Sequence, residues 1–311
     1  PGVEIAKMKD DEFNLILKTI NENNITVSGY NAYCNGETPI VGDGFSPEKT
    51  RDYAKLMCLR GQALGIKNIE FWCARPHFLL DDYGFEDAAE LKKNAADYGL
   101  TIGAFSPECT IYNYALCCHD ETARKHSIGY FENGIRAAAE AGAKVMVLNC
   151  CGGARNEDPR RIFERAVQTL RRLSKTAAEE GVVLAVETVR PEDATVINML
   201  PELKKLLESV NEPQIQAALN LTSAGVAGES MKDWFEALGD KIYHIRFVDG
   251  RPQGCLAWGD GLRPLEDQLI CLDQYKYKGL LSLALNDARY LEDPAAADRQ
   301  NMRELEPFIM D

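Results

Sequence analysis

The chain has 311 residues, of which 45% are hydrophobic and 27% charged, and its formal net charge is −13. A chain of this length buries a sizeable core without help from a metal or a disulfide, and its balance excludes a disordered chain, a collagen and a coiled coil. An acidic chain with no basic stripe is not built for nucleic acid or an anionic membrane surface, and no apolar run approaches the roughly 18–20 residues a membrane helix needs.

Residues 5–22 read as an amphipathic helix within an N-terminal extension, 1–24. From residue 25 to 311 one pattern repeats as a single domain: a short β-branched apolar run, a polar loop, then an amphipathic helical stretch. The first run, 25–30, leads to a helix at 47–64 that opens on Ser46-Pro47-Glu48, an N-cap with Pro at the first helical position, and stops at Gly65. Run 67–73 precedes a helix at 84–98 ended by Gly99. Run 100–106 precedes 121–142, and run 144–150 precedes 157–180, ended by Gly181. Runs 182–188, 215–220, 241–249 and 279–286 alternate with helices at 198–210, 228–238, 263–277 and 294–308. Eight strand–helix alternations with no composition break predict a (β/α)8 barrel. The first strand is followed by Asn31-Ala32-Tyr33-Cys34-Asn35-Gly36, which lacks the G-x-G-x-x-G fingerprint of an open doubly wound sheet.

The ten cysteines include no C-x-x-C pair and read as free thiols. The mixed, acidic opening Pro1-Gly2-Val3-Glu4 does not read as a signal peptide. A cytoplasmic protein is therefore expected.

A barrel of this kind works at the carboxyl ends of its strands. That singles out His77, Glu108, Asn149, Glu187, Asn220, His244 and Arg246, with Trp258 in a later loop as a ring that could stack on a sugar face. In the seventh run Tyr243, Ile245 and Phe247 alternate with His244 and Arg246. The latter two then point into the barrel, where an arginine needs a partner. Cys150 and Cys151 have no adjacent base or cation and read as inert.

Several stretches together resemble the sugar phosphate isomerase/epimerase barrels of the xylose isomerase-like superfamily. They are Phe71-Trp72-Cys73-Ala74-Arg75-Pro76-His77-Phe78, Ser106-Pro107-Glu108-Cys109-Thr110, Leu238-Gly239-Asp240-Lys241, Tyr243-His244-Ile245-Arg246-Phe247-Val248-Asp249 and Trp258-Gly259-Asp260-Gly261. Within that superfamily the chain is similar to the fructoselysine 3-epimerases and to the catalytic barrels of C-glycoside deglycosylases. The resemblance implies a small sugar-like ligand and a divalent ion held by Glu, Asp, His and Glu, which polarises a sugar carbonyl.

At the matching positions this chain has Glu187, Asn220, Arg246 and Ala284, and two further family histidines fall on Ser223 and Cys255. Only Glu187 is a metal ligand in kind. The resemblance therefore implies a degenerate metal site with no metal cofactor, in which Arg246 supplies the positive charge and meets Glu187 directly or across Asn220 or a water. Glu187 as base and Arg246 as electrophile would be the catalytic pair of any metal-free proton transfer. Two alternatives stay open. One is a non-catalytic subunit, paired with an active paralogous barrel or with a second copy of itself. The other is a metal-dependent epimerase or deglycosylase that recruits His244, Asp249 and Asp260.

Overall fold

Among the described residues seven strands lie parallel and in chain order in one sheet. They are β1 (Asn68–Cys73), β2 (Thr101–Pro107), β3 (Val145–Leu148), β4 (Val183–Glu187), β5 (Ile215–Asn220), β6 (Ile242–Arg246) and β7 (Leu280–Ser282). The coordinates are a computed structural model that describes residues 67–74, 78–109, 114–290 and 294–309. The strand expected at 25–30, the helices expected at 5–22 and 47–64 and the extension 1–24 lie outside the described residues.

The helices are α1 (Ala88–Ala96), α2 (Glu121–Ala141), α3 (Pro159–Glu180), α4 (Leu200–Val210), α5 (Leu221–Ala227), α6 (Met231–Leu238), α7 (Leu265–Gln274) and α8 (Pro294–Ile309). Their ends follow local chemistry. Asp120 and Asp158 accept from backbone N–H groups in the first turns of α2 and α3, and Gly142 and Gly181 close those helices in the left-handed region at φ 90° and 66°. None of the helices is long and apolar enough to cross a membrane, among the described residues.

Two expectations need correction. The seventh run leaves the sheet at Arg246, three residues early. Asp249 turns away to accept four backbone N–H groups, those of Gly250, Gly259, Gly261 and Arg263, and so organises the following loop. The short helix α5 was not expected. It starts directly from β5 because the Asn220 side chain accepts from the Thr222 N–H and caps it.

The sheet is curled, not open. Leu280 of β7 packs onto Gly103 of β2, where a Cβ would lie 2.6 Å from the Leu280 side chain. Gly103 falls at a register shift in the β1–β2 pairing, and its missing side chain makes that approach possible. Outside the sheet, Phe71, Phe105, Met146, Leu184, Leu219 and Ile245 join the helices in the main core. Inside it, Val145, Val147, Ala185 and Ala218 form a separate small cluster, sized for the narrow interior. This is the two-layer construction of a (β/α)8, or TIM, barrel.

Candidate functional site

The strand period of two decides which side chains enter the barrel. On β1, Phe71 packs outward on Phe105 at 5.8 Å between ring centroids, so Glu70 and Trp72 share the inner face. On β4, Ala185 lies in the interior cluster, which puts Glu187 one layer above it. On β6, Ile245 is in the outer core, which turns His244 and Arg246 inward as expected.

These residues form one connected polar layer. Arg246 Nη1 donates to Glu187 Oε1 at 3.1 Å, and Nη2 donates to Glu70 Oε1 at 3.0 Å. The expected meeting of Glu187 and Arg246 is thus direct. Nη2 also lies 3.4 Å from Ser106 Oγ, whose hydroxyl donates to Glu70. The second Glu70 oxygen sits 3.0 Å from His244 Nε2. The second Glu187 oxygen accepts from Asn220 Nδ2 at 3.0 Å. The side chains of His244, Glu187 and Glu70 are 1%, 5% and 11% exposed, and that of Arg246 is 24% exposed, the most of the four.

Burial alone would raise the Glu70 carboxyl. The Arg246 charge, with His244 and Ser106, outweighs it and holds Glu70 well below the usual carboxylate range. Burial likewise opposes the charge on Arg246, and Glu187 and Glu70 overcome it, so the guanidinium stays charged. An ionised Glu70 only accepts, so His244 Nε2 carries a hydrogen toward it. Nδ1 of His244 and Nε of Arg246 are buried with no partner among the described residues. Two carboxylates against one guanidinium leave the layer with one net negative charge when the imidazole is neutral and none when it is protonated.

The thiols around the site are not poised as nucleophiles. Burial pushes Cys109, Cys255 and Cys150 up, with the Cys117 hydrogen bond the larger cause at Cys150, and it pushes Cys151 up to about 12. All eight cysteines among the described residues are free.

The other expected residues are placed as follows. His77 lies outside the described residues. Glu108 is buried beyond the end of β2, its N–H donating to the Cys73 carbonyl at 3.1 Å. Asn149 is 1% exposed, just past β3, and its Oδ1 has no partner among the described residues. Trp258 is fully buried. Its ring packs on Phe247 at 4.6 Å, so it supports the loop and presents no face to a ligand in this structure. Asp260 accepts from the Tyr290 hydroxyl and from Gln300, and Asp249 is committed to its four backbone donors. Both carboxylates are thus committed in the loop after β6, and His244 pairs with Glu70. Ser223 bonds Thr188 at 2.9 Å, and Cys255 lies 3.4 Å from the Thr222 hydroxyl.

Glu70 and Ser106 complete the layer; Glu70 lies mid-strand, and Ser106, though it ends the expected run 100–106, was not among the expected site residues. Glu70 did leave a signal. It is a lone charge between Ile69 and Phe71 in the middle of a strand.

A barrel with a polar layer of side chains toward the carboxyl ends of its strands has its site where TIM barrels in general carry theirs. The comparisons narrow it: the model of the xylose isomerase-like TIM barrel family matches residues 60–306, and the chain belongs to that family. It is 25% identical over 248 residues to fructoselysine 3-epimerase of Shigella flexneri, covering 79% of this chain and 90% of that one. It is 27% identical over 233 residues to D-psicose 3-epimerase of Enterocloster bolteae, covering 70% and 73%. Among solved structures it superimposes on 3-keto-D-glucoside 4-epimerase of E. coli with a TM-score of 0.65, at 16% identity over 88% of this chain and 99% of that one. L-Ribulose 3-epimerase gives 0.67, at 16% identity over 90% and 92%. The chain is thus a sugar isomerase/epimerase-like TIM barrel.

Proposed function

We propose that this barrel binds a sugar-like ligand at the carboxyl ends of its strands, and that Arg246 takes the place of the family's divalent ion. The ordinary metal-dependent epimerase mechanism is then lost. One observation carries the reading: the Arg246 guanidinium lies between Glu187 and Glu70, 3.1 and 3.0 Å from their oxygens.

The donor set does not fit a divalent cation while Arg246 is in place. A cation of this type wants several anionic or neutral oxygen and nitrogen ligands turned toward one point. Here one oxygen of Glu187 is taken by Arg246 and the other by the Asn220 amide. Both oxygens of Glu70 are taken as well. Asn220 directs a hydrogen, not a lone pair, at Glu187. Among the described residues no group of three or more His, Cys, Asp or Glu side chains is arranged to hold a metal.

What the chain's own residues offer instead is a carboxylate, Glu187, fixed against a permanent cation. Such a pair can accept hydrogen bonds from a hydroxyl at Glu187 and donate to a carbonyl or hydroxyl oxygen from Arg246. Metal analysis of the purified protein tests the reading. We expect well under one equivalent of Mn, Co, Zn or Mg per chain and a melting temperature that chelator does not change. One tightly held ion on Glu187 overturns it.

A further inference from the structure

We infer that the loop after β6 and the N-terminal ends of α6 and α7 form a self-complementary docking surface. Its partner is a second copy of this chain, related by a two-fold axis, with Leu262 of each copy seated in a hollow of the other. The inference does not depend on what the barrel mouth binds.

The hollow lies between α5, the start of α6 and that loop. Its volume is about 340 Å³, and Leu221, Met231, Pro252 and Pro264 give it apolar walls. A cavity of about 150 Å³ already holds a benzene ring, so there is room here for a leucine side chain. Leu262 lines the same hollow and is 79% exposed, the most exposed large apolar side chain among the described residues. At that exposure it adds little to the chain's own core.

A single exposed leucine is ordinary on a protein surface. This one is held rigidly. Asp249, itself buried, accepts from the N–H groups of Gly261 and Arg263 on either side of it, and the Leu262 N–H donates to the Gly250 carbonyl at 2.9 Å. The Arg263 side chain is a second anchor, its guanidinium donating to the carbonyls of Val248, Leu221 and Pro252. It fits because Gly225 and Gly250 have no side chains: a Cβ on them would lie 2.6 and 2.3 Å from the guanidinium nitrogens. Three consecutive residues are thus fixed while the leucine stays in solvent. The loop is ordered before any partner arrives, so burying Leu262 costs little further backbone entropy.

Both halves of the contact are on one face. Knob and hollow adjoin, and Arg251 and Glu229, one charge of each sign, line the hollow together. A two-fold axis brings one residue of a copy to a second residue of its partner, and the second to the first. It therefore places each Leu262 in the opposite hollow and lets each Arg251 approach the partner's Glu229. A partner of different sequence needs only one half of each pair, and this face carries both. The net charge of −13 opposes the association of like copies, which leaves the apolar knob as the main attraction and Arg251 as the cation that relieves the repulsion locally.

Analytical ultracentrifugation of the full chain at micromolar concentrations tests this. Wild type should be a concentration-dependent dimer. Leu262→Asp should weaken the dimer by about tenfold or more, with circular dichroism unchanged because the side chain is outside the core. Leu262→Met should keep the dimer, and Arg251→Glu should weaken it. Ile270→Asp, which puts the same charge on a 48% exposed residue of α7, should leave dimerisation as it is. A photo-crosslinking amino acid in place of Leu262 should join two chains through Met231 or Pro252. A wild type that is monomeric at every concentration overturns the inference, as does a dimer that survives Leu262→Asp or a crosslink to a different surface. A small molecule held in the hollow of a monomeric chain, seen by native mass spectrometry, equally excludes the second copy.

Discussion

Glu70 and Arg246 are 176 residues apart in sequence, on strands five places apart in the sheet, and their side chains meet at 3.0 Å. In a flat sheet with strands about 4.8 Å apart they would be separated by more than 20 Å. The contact exists because the sheet curls, and it ties the described start of the barrel to its sixth strand. Glu187 on β4 closes on the same guanidinium from a third direction. One cation thus pins three strands.

That arrangement sets the cost of removing the cation. Arg246→Ala leaves Glu70 and Glu187, 11% and 5% exposed, facing each other with nothing between them. We expect a loss of ~3 kcal/mol or more by urea unfolding at neutral pH. Arg246→Ala combined with Glu187→Gln should recover part of that loss, giving a coupling of at least ~1 kcal/mol in a double-mutant cycle. Simple addition of the two single losses would show that the pair is not coupled.

Glu70 also gives the protein a pH dependence whose sign is fixed. Its carboxyl titrates well below the ordinary range in the folded chain. On acidification the unfolded chain, at roughly 4.3, takes up the proton first. The stability Glu70 contributes is therefore complete above that value and is lost as pH falls through the lower folded value. Wild type should exceed Glu70→Gln in stability at pH 7, and the difference should shrink on acidification below about pH 4. A gap that widens on acidification would mean that Glu70 is not held ionised by Arg246 and His244.

Asn220→Asp separates the two jobs of Asn220. The substitution keeps the oxygen that caps α5 at Thr222 and replaces the amide that donates to Glu187 with a second anion. The helix cap should survive, while the protein loses about 1–3 kcal/mol at pH 7. The deficit should narrow as pH falls and one of the two carboxyls takes up a proton. Equal losses for Asn220→Asp at pH 7 and pH 5 would show that the amide hydrogen at Glu187 matters little.

The strand positions that alternate around apolar cores were legible in the sequence, because burial imposes a period of two on β-branched runs and glycine stops are local. The inward aim of His244 and Arg246 followed from that period, and the meeting of Arg246 with Glu187 from the family resemblance. What was not legible needed the closed sheet. Glu70 sits mid-strand, and its role appears only when β1 faces β6 across the barrel. Asp249 reads as the end of a strand until its four backbone donors, brought together by a loop, draw it out of the sheet. Trp258 and Trp72 look alike in sequence. Packing against Phe247 buries the first, and the second is 54% exposed.

Activity should follow the site. Ketose 3-epimerase and aldose–ketose isomerase turnover on simple sugars should stay near background even with added Mn2+, far from the ~1–10³ per second of ordinary enzymes. Turnover in that range on any simple ketose, checked by product chromatography, would show that Asn220, Arg246 and Ala284 do not disable the ordinary reaction.

If Arg246 occupies the position of a cation, Mn2+ titration should separate wild type from Arg246→Ala. Wild type should take up no Mn2+ by calorimetry and show no change in melting temperature. Arg246→Ala, with Glu70, Glu187 and His244 left around an uncompensated space, should bind Mn2+ and be stabilised by it. Stoichiometric Mn2+ binding by wild type, or none by a folded Arg246→Ala protein, would contradict the account.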